Sequence, residues 1–287
     1  MITLLLAIAC SCLIFILFKV FPLFGIDTFQ AIVFNYFVAF SSGWLLYHDQ
    51  WKPGNWSSSD WPYYCILTGI LLISLFVFMG QSAQKNGMAM TSVAVKMSMA
   101  ISVILMIVFY KEPVGWVKLL GILSALIGVI LASRPDQNDT STQNHAWWML
   151  IVLFLGSGVL DFVLNYVQHA QLGTLTPSLF SALSFLVAGV IGLLSYFSPL
   201  NKDRIPLHWK HAIAGVALGI PNFFSIFFLM QSYTDLAWEN STVLTTINVS
   251  IVVITSIIGF LVFKEKRSPV KLIGLLLALF AIFLLVQ

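Results

Sequence analysis

The sequence predicts an all-α integral membrane protein of ten transmembrane helices, arranged as two inverted five-helix repeats. Three observations predict it. Of 287 residues, 59% are hydrophobic and only 9% charged, with mean hydropathy +0.95. A soluble domain carries about a quarter charged residues, so this chain could not cover a water-facing surface. Ten apolar runs follow one another, each near the ~20 residues that a helix needs to cross a bilayer. Finally, one phrase is written twice. Phe109 to Ile122 reads FYKEPVGWVKLLGI, and Val262 to Leu275 reads VFKEKRSPVKLIGL. Lys111 and Glu112 match Lys264 and Glu265, Lys118 matches Lys271, and Gly121 matches Gly274, all at an offset of 264 − 111 = 153.

The first run, 2–20, contains Ala7-Ile8-Ala9-Cys10, a loose echo of a lipoprotein cleavage site. It has no basic leader, and its apolar character continues past the cysteine to Lys19, so it reads as a membrane helix. The remaining runs are 28–47, 62–84, 88–109, 115–133, 146–168, 177–197, 209–232, 241–263 and 269–287. Pro22, Pro53, Pro113, Pro135, Pro199, Pro206 and Pro269 fall between runs. Pro62 and Pro177 open runs, where a missing N–H costs nothing. The tryptophans sit near run ends or in loops, at the headgroup level of a bilayer.

Ser133 to His145 is the longest central polar stretch and divides the runs five and five. The expected organisation is a first repeat over 1–133, a linker over 134–145 and a second repeat over 146–287. Gln81-Ser82 echoes Gln231-Ser232 at an offset of 231 − 81 = 150. Gly121, Ala125 and Gly128 in run five correspond to Gly274, Ala278 and Ala281 in run ten. Small residues at that spacing let backbones approach closely in lipid, so runs five and ten should pack together. An odd number of spans per half inverts the second half relative to the first. That is the ground plan of many secondary transporters, with a site near the midplane and access alternating as the halves rock.

The net charge of +3 is dispersed through short loops and forms no nucleic-acid patch. Lys52, Lys111 and Lys118 lie on the membrane face that holds both termini; Lys19, Lys85, Arg134, Lys202, Arg204, Lys210, Lys264, Lys266, Arg267 and Lys271 lie on the other. The positive-inside rule places that second face in the cytoplasm. Cys10, Cys12 and Cys65 have no metal-ligand or disulfide spacing, and no cofactor motif is present. No catalytic residue is expected. Gly156-Ser157-Gly158 lacks the Gly-x-Ser-x-Gly pattern, and the next histidine is His169, so an intramembrane enzyme is a remote alternative.

Charged or polar residues inside a span cost energy and are functional candidates. Ser157, Asp161, Asn165 and Gln168 share one face of run six. Asp161 would line the cavity, binding a substrate amine or exchanging a proton, or would bond a neighbouring helix. Lys96 shares a face of run four with Ser92, Met99 and Ser102. It would hold a substrate carboxylate, pair with Asp161, or snorkel to the interface. Thr245 and Asn248 belong to a polar stripe of run nine, and Gln81 and Gln84 to one face of run three. Pro221, inside run eight, is read as a hinge or a packing kink, with Asn222 beside it as a binding candidate. Asn35 reads as helix–helix glue, and Lys19 as interfacial.

Two sets of five runs, each with Lys-Glu before its last run and a glycine within it, resemble the drug/metabolite transporter superfamily, EamA type. The residues that carry the likeness are Tyr110-Lys111-Glu112-Pro113 through Gly121 and Phe263-Lys264-Glu265 through Gly274, with Asn86-Gly87 in support. The resemblance covers essentially the whole chain. It implies a ten-helix carrier, often an exporter of amino acids or other metabolites, with both termini in the cytoplasm. The expected activity is secondary active transport, in the direction of export, of a small polar metabolite such as an amino acid in the cell inner (plasma) membrane. The coupling ion would be a proton and the functional unit a monomer. A multidrug or lipophilic-cation exporter of the same fold is the alternative.

Overall fold

The computed structural model describes residues 1–51, 61–110, 115–132, 146–170, 176–198, 206–236, 240–265 and 269–285, and all regular structure among them is helical. The helices are α1 (Ile2–Val20), α2 (Thr28–Tyr47), α3 (Trp61–Lys85), α4 (Met88–Met97), α5 (Met99–Tyr110), α6 (Trp116–Ala132), α7 (Trp147–Ala170), α8 (Pro177–Phe197), α9 (Trp209–Asp235), α10 (Asn240–Leu261) and α11 (Pro269–Leu285). Short 3-10 turns, Phe21–Phe24 and His48–Gln50, follow α1 and α2. Among the described residues, seven stretches are long and apolar enough to cross a membrane, and three shorter ones lie in α6, α10 and α11. At 17 residues each, α6 and α11 are about 25 Å long, the low end of what spans a bilayer.

Run four is the one run that the structure divides. It becomes α4 and α5, broken at Ser98. The Ser98 hydroxyl turns back to the Val95 carbonyl at 2.6 Å. Its own carbonyl accepts from both Ile101 N (2.9 Å) and Ser102 N (3.2 Å). That shared bond tightens the turn, and it competes with the regular ladder as serine does inside helices. No proline or glycine marks the place, so periodicity gave no warning.

Helix α11 presents an apolar face outward and small residues inward. On α11, Leu272, Ile273, Leu276, Phe280 and Phe283 are exposed, whereas Ala278 and Ala281 are buried. This is the pattern of a helix with lipid on one side, where an outward leucine is at no disadvantage. The inward face meets α6, as the matched small residues predict. A methyl group added at Gly128 would come within 3.2 Å of the Gly274 carbonyl and the Ala278 nitrogen. Elsewhere α2 packs on α8 and α9, α3 on α7 and α8, α1 on α9 and α10, α10 on α4, and α7 on α4 and α5.

The α2–α9 contact is close enough to forbid a side chain. A Cβ at Gly219 would sit 2.7 Å from the Asn35 carbonyl oxygen, and backbone cannot step aside as a side-chain tip can. Gly219→Ala should therefore lower stability by about 1–3 kcal/mol, the usual penalty of overpacking. Thermal melting in detergent checks it. Beside that contact the Asn222 amide donates to Asn35 Oδ1 at 3.1 Å. The glue read for Asn35 is thus Asn222 itself. Pro221 is buried, and α9 runs through it from Trp209 to Asp235.

The start of α4 is held by a residue from the far end of the chain. Gly87, with φ +95°, turns the backbone from α3 into α4, a conformation that favours glycine. The first N–H groups of α4 then point at Glu265, whose carboxylate accepts from Met88 N (2.7 Å) and Ala89 N (3.3 Å). Lys19 at the end of α1 completes the cluster, its Nζ 3.3 Å from Glu265 Oε1. The ion pair gives the Lys19 read as interfacial a specific partner. That partner lies 246 residues away (265 − 19), beyond the reach of any local pattern. Glu112, the matching residue of the first phrase, lies outside the described residues.

Candidate functional site

Asp161 sits 14 residues into α7 and Lys96 eight residues into α4, about 21 Å and 12 Å along helices that begin on the same membrane face. Both are therefore at membrane depth. α7 packs on α4 and α5, and the glycines of Gly156-Ser157-Gly158 allow it. A Cβ at Gly158 would meet the Ser98 carbonyl oxygen at 2.7 Å, and Ser102 Oγ donates to the Gly158 carbonyl at 2.9 Å. The break at Ser98 is thus pressed against α7, one turn before Asp161. The Ser98 hydroxyl also reaches Asp161 Oδ2 at 3.5 Å.

Asp161 is exposed on α7 and lies within electrostatic reach of Lys96. Lys96 is half-buried and lies within electrostatic reach of Asp161 and of Cys12 on α1. The two charges nevertheless form no ion pair within 4.0 Å, and among the described residues the Lys96 ammonium has no hydrogen-bond partner. The ammonium and the carboxylate are thus near enough to interact and too far apart for a contact ion pair.

The other predicted residues divide. Asn248 is nearly buried on α10, which packs on α1 and α4. Asn222 is engaged with Asn35 in the α2–α9 contact. Gln81 lines a different pocket, at the membrane face where α3 ends. The side chains of Asn165 and Thr245 lie outside the described residues. Ser92 on α4 bonds Thr255 on α10 at 2.7 Å, which fixes these two helices together beside the site. Ser98 and Cys12 were missed. A small polar residue between two methionines was the one available signal for Ser98.

The EamA-like transporter family matches this chain over residues 1–134 and again over 147–287. A protein of Haemophilus influenzae (strain ATCC 51907 / DSM 11121 / KW20 / Rd), described as uncharacterized, is 27% identical over 285 residues, covering 97% of this chain and 95% of its own. One solved crystal structure superposes with TM-score 0.57 at 12% identity, covering 97% of this chain and 95% of that one; it shares the fold.

Proposed function

Because the chain belongs to the EamA-like transporter family, we propose that this multi-pass membrane protein is a secondary transporter of a small polar metabolite carrying both an amine and a carboxylate. The observation that carries the reading is the unneutralised pair at membrane depth: Lys96 for the carboxylate, Asp161 for the amine. A charge inside the membrane is costly, and a zwitterion of the right length satisfies both charges at once. The helix break at Ser98 lies beside them, as broken helices do at many transporter sites.

Alternating access in this reading follows from two inverted repeats, 1–133 and 146–287. Three findings support that division. The family matches the chain twice. The helix pairings recur when the halves are exchanged: α2 on α9 corresponds to α8 on α3, and α1 on α9 to α7 on α3. The pairs α2–α8, α6–α11 and α4–α10 map onto themselves. Asp161 is the coupling group in this scheme, exchanging a proton when substrate leaves, and the membrane is the cell inner membrane.

The test is unbiased accumulation. Liposomes containing the protein are offered a metabolite extract with and without a pH gradient, and trapped compounds are identified by mass spectrometry. Gradient-dependent enrichment of an amino-acid-like zwitterion is the expected result. No enrichment by correctly folded protein would count against the reading. Enrichment of lipophilic cations in place of zwitterions, unchanged in Lys96→Met and lost in Asp161→Asn, would redirect it to a lipophilic-cation carrier.

A further inference from the structure

A second polar cavity lies well away from the Lys96–Asp161 site, at the membrane face where α1 and α3 end and α2 and α9 begin. It measures about 630 Å³, within the range of small-molecule sites. Gln81, His208, Lys210, His211, Asp27 and Thr28 are among the residues that line it.

The hydrogen bonding fixes the character of the two histidines. His211 Nδ1 accepts the backbone N–H of Asp27 at 3.1 Å. The neutral ring must then carry its proton on Nε2. His211 is 2% exposed, and among the described residues that Nε2–H has no acceptor. His208 repeats the arrangement. Its Nδ1 accepts the Lys210 N–H at 3.3 Å, and its ring lies 6.1 Å from that of His211. The Lys210 ammonium lies beside Gly25, where a methyl group would be 3.7 Å from Nζ. It has no ion-pair partner, and the Gln81 amide no hydrogen bond, among the described residues.

Two imidazole N–H groups, an ammonium and an amide thus border one cavity as donors without acceptors. Among the described lining residues the one carboxylate is Asp27. Asp27 Oδ1 accepts Gln30 N at 2.8 Å, capping α2, where the helix dipole favours negative charge. An oxyanion with several lone pairs can satisfy these donors together, through bonds stronger than those between neutral groups.

We propose that this pocket binds the anionic head, carboxylate or phosphate, of a small molecule or a lipid at the membrane surface. Its place at the bilayer edge admits either source. The test is made with whole protein in maltoside micelles free of phospholipid. Melting is followed against inorganic phosphate, with chloride at matched ionic strength as control. Native mass spectrometry then scores retention of added phosphatidylglycerol. Wild type, Lys210→Gln, Gln81→Leu and Asp161→Asn are compared.

Saturable stabilisation by phosphate, weakened about tenfold in Lys210→Gln, assigns the site to a free small anion. Retention of phosphatidylglycerol alone, reduced in the same variant, assigns it to a lipid. Asp161→Asn should bind as wild type does, so the result is independent of the central site and of any transport. Lys210 is exposed, so its variant should melt normally without ligand. Binding of neither probe, or equal binding by Lys210→Gln, Gln81→Leu and wild type, would overturn the proposal.

Discussion

Asp161→Asn is expected to lower the rate of substrate exchange roughly 10- to 100-fold, which corresponds to one charged hydrogen bond. The side chain keeps its shape and can still accept the Ser98 hydroxyl, 3.5 Å away in the native protein. What it loses is charge, and with it both the attraction for an amine and the capacity to take up a proton. Accumulation driven by a pH gradient should vanish, whereas exchange of labelled for unlabelled substrate should persist at a reduced rate. A variant with native melting behaviour and wild-type, gradient-driven uptake would sink the role proposed for Asp161. Lys96→Met should shift preference rather than abolish movement. Zwitterions lose the partner of their carboxylate, so the apparent affinity for them falls while simple amines are still carried.

Glu265→Ala is expected to be the most destabilising of the substitutions considered, at about 3 kcal/mol. Loss of a helix cap costs about 1 kcal/mol, and stripping a poorly accessible cation of its counter-charge adds to it. The Glu265 and Lys19 side chains are 9% and 20% exposed, so the pair is less screened than one on an open surface. Lys19→Met should cost less, because the bonds from Met88 and Ala89 to the carboxylate remain. Combining Lys19→Met with Glu265→Ala should then cost less than the sum of the two. Thermal melting of the four proteins closes the cycle; strict additivity would mean that the two charges do not interact.

Most of the helical layout was legible in the sequence because lipid imposes a simple rule. About 20 apolar residues make a span, and polar or proline-containing breaks separate spans. The observed helices Ile2–Val20, Thr28–Tyr47 and Pro177–Phe197 have the bounds read from composition alone. The α6–α11 contact was legible because small residues recur at matched positions. The break at Ser98 was not, since a hydroxyl redirecting a carbonyl leaves no mark on hydropathy. For the site, 3.6-residue periodicity placed Ser157 and Asp161 on one face of a helix. It could not say which helix that face meets. The distance between Lys96 and Asp161, the engagement of Asn222 by Asn35 and the removal of Gln81 to another pocket all depend on how separate spans assemble. The repeated Lys-Glu phrase was visible at once, but its work at Glu265 is done on a helix from the other half.

The carboxylate that caps α4 is translated 177 residues after the N–H groups it holds. At about 5–20 residues per second, the ribosome needs roughly 10 to 35 seconds to reach it. During that interval α4 enters the bilayer with its first amide groups unanswered and Lys19 without its counter-charge. The start of α4 therefore reaches its final state late, after α10 has been made, although it belongs to an early span. A nascent chain halted before residue 265 should leave that turn open to hydrogen exchange, and release of the last segment should close it.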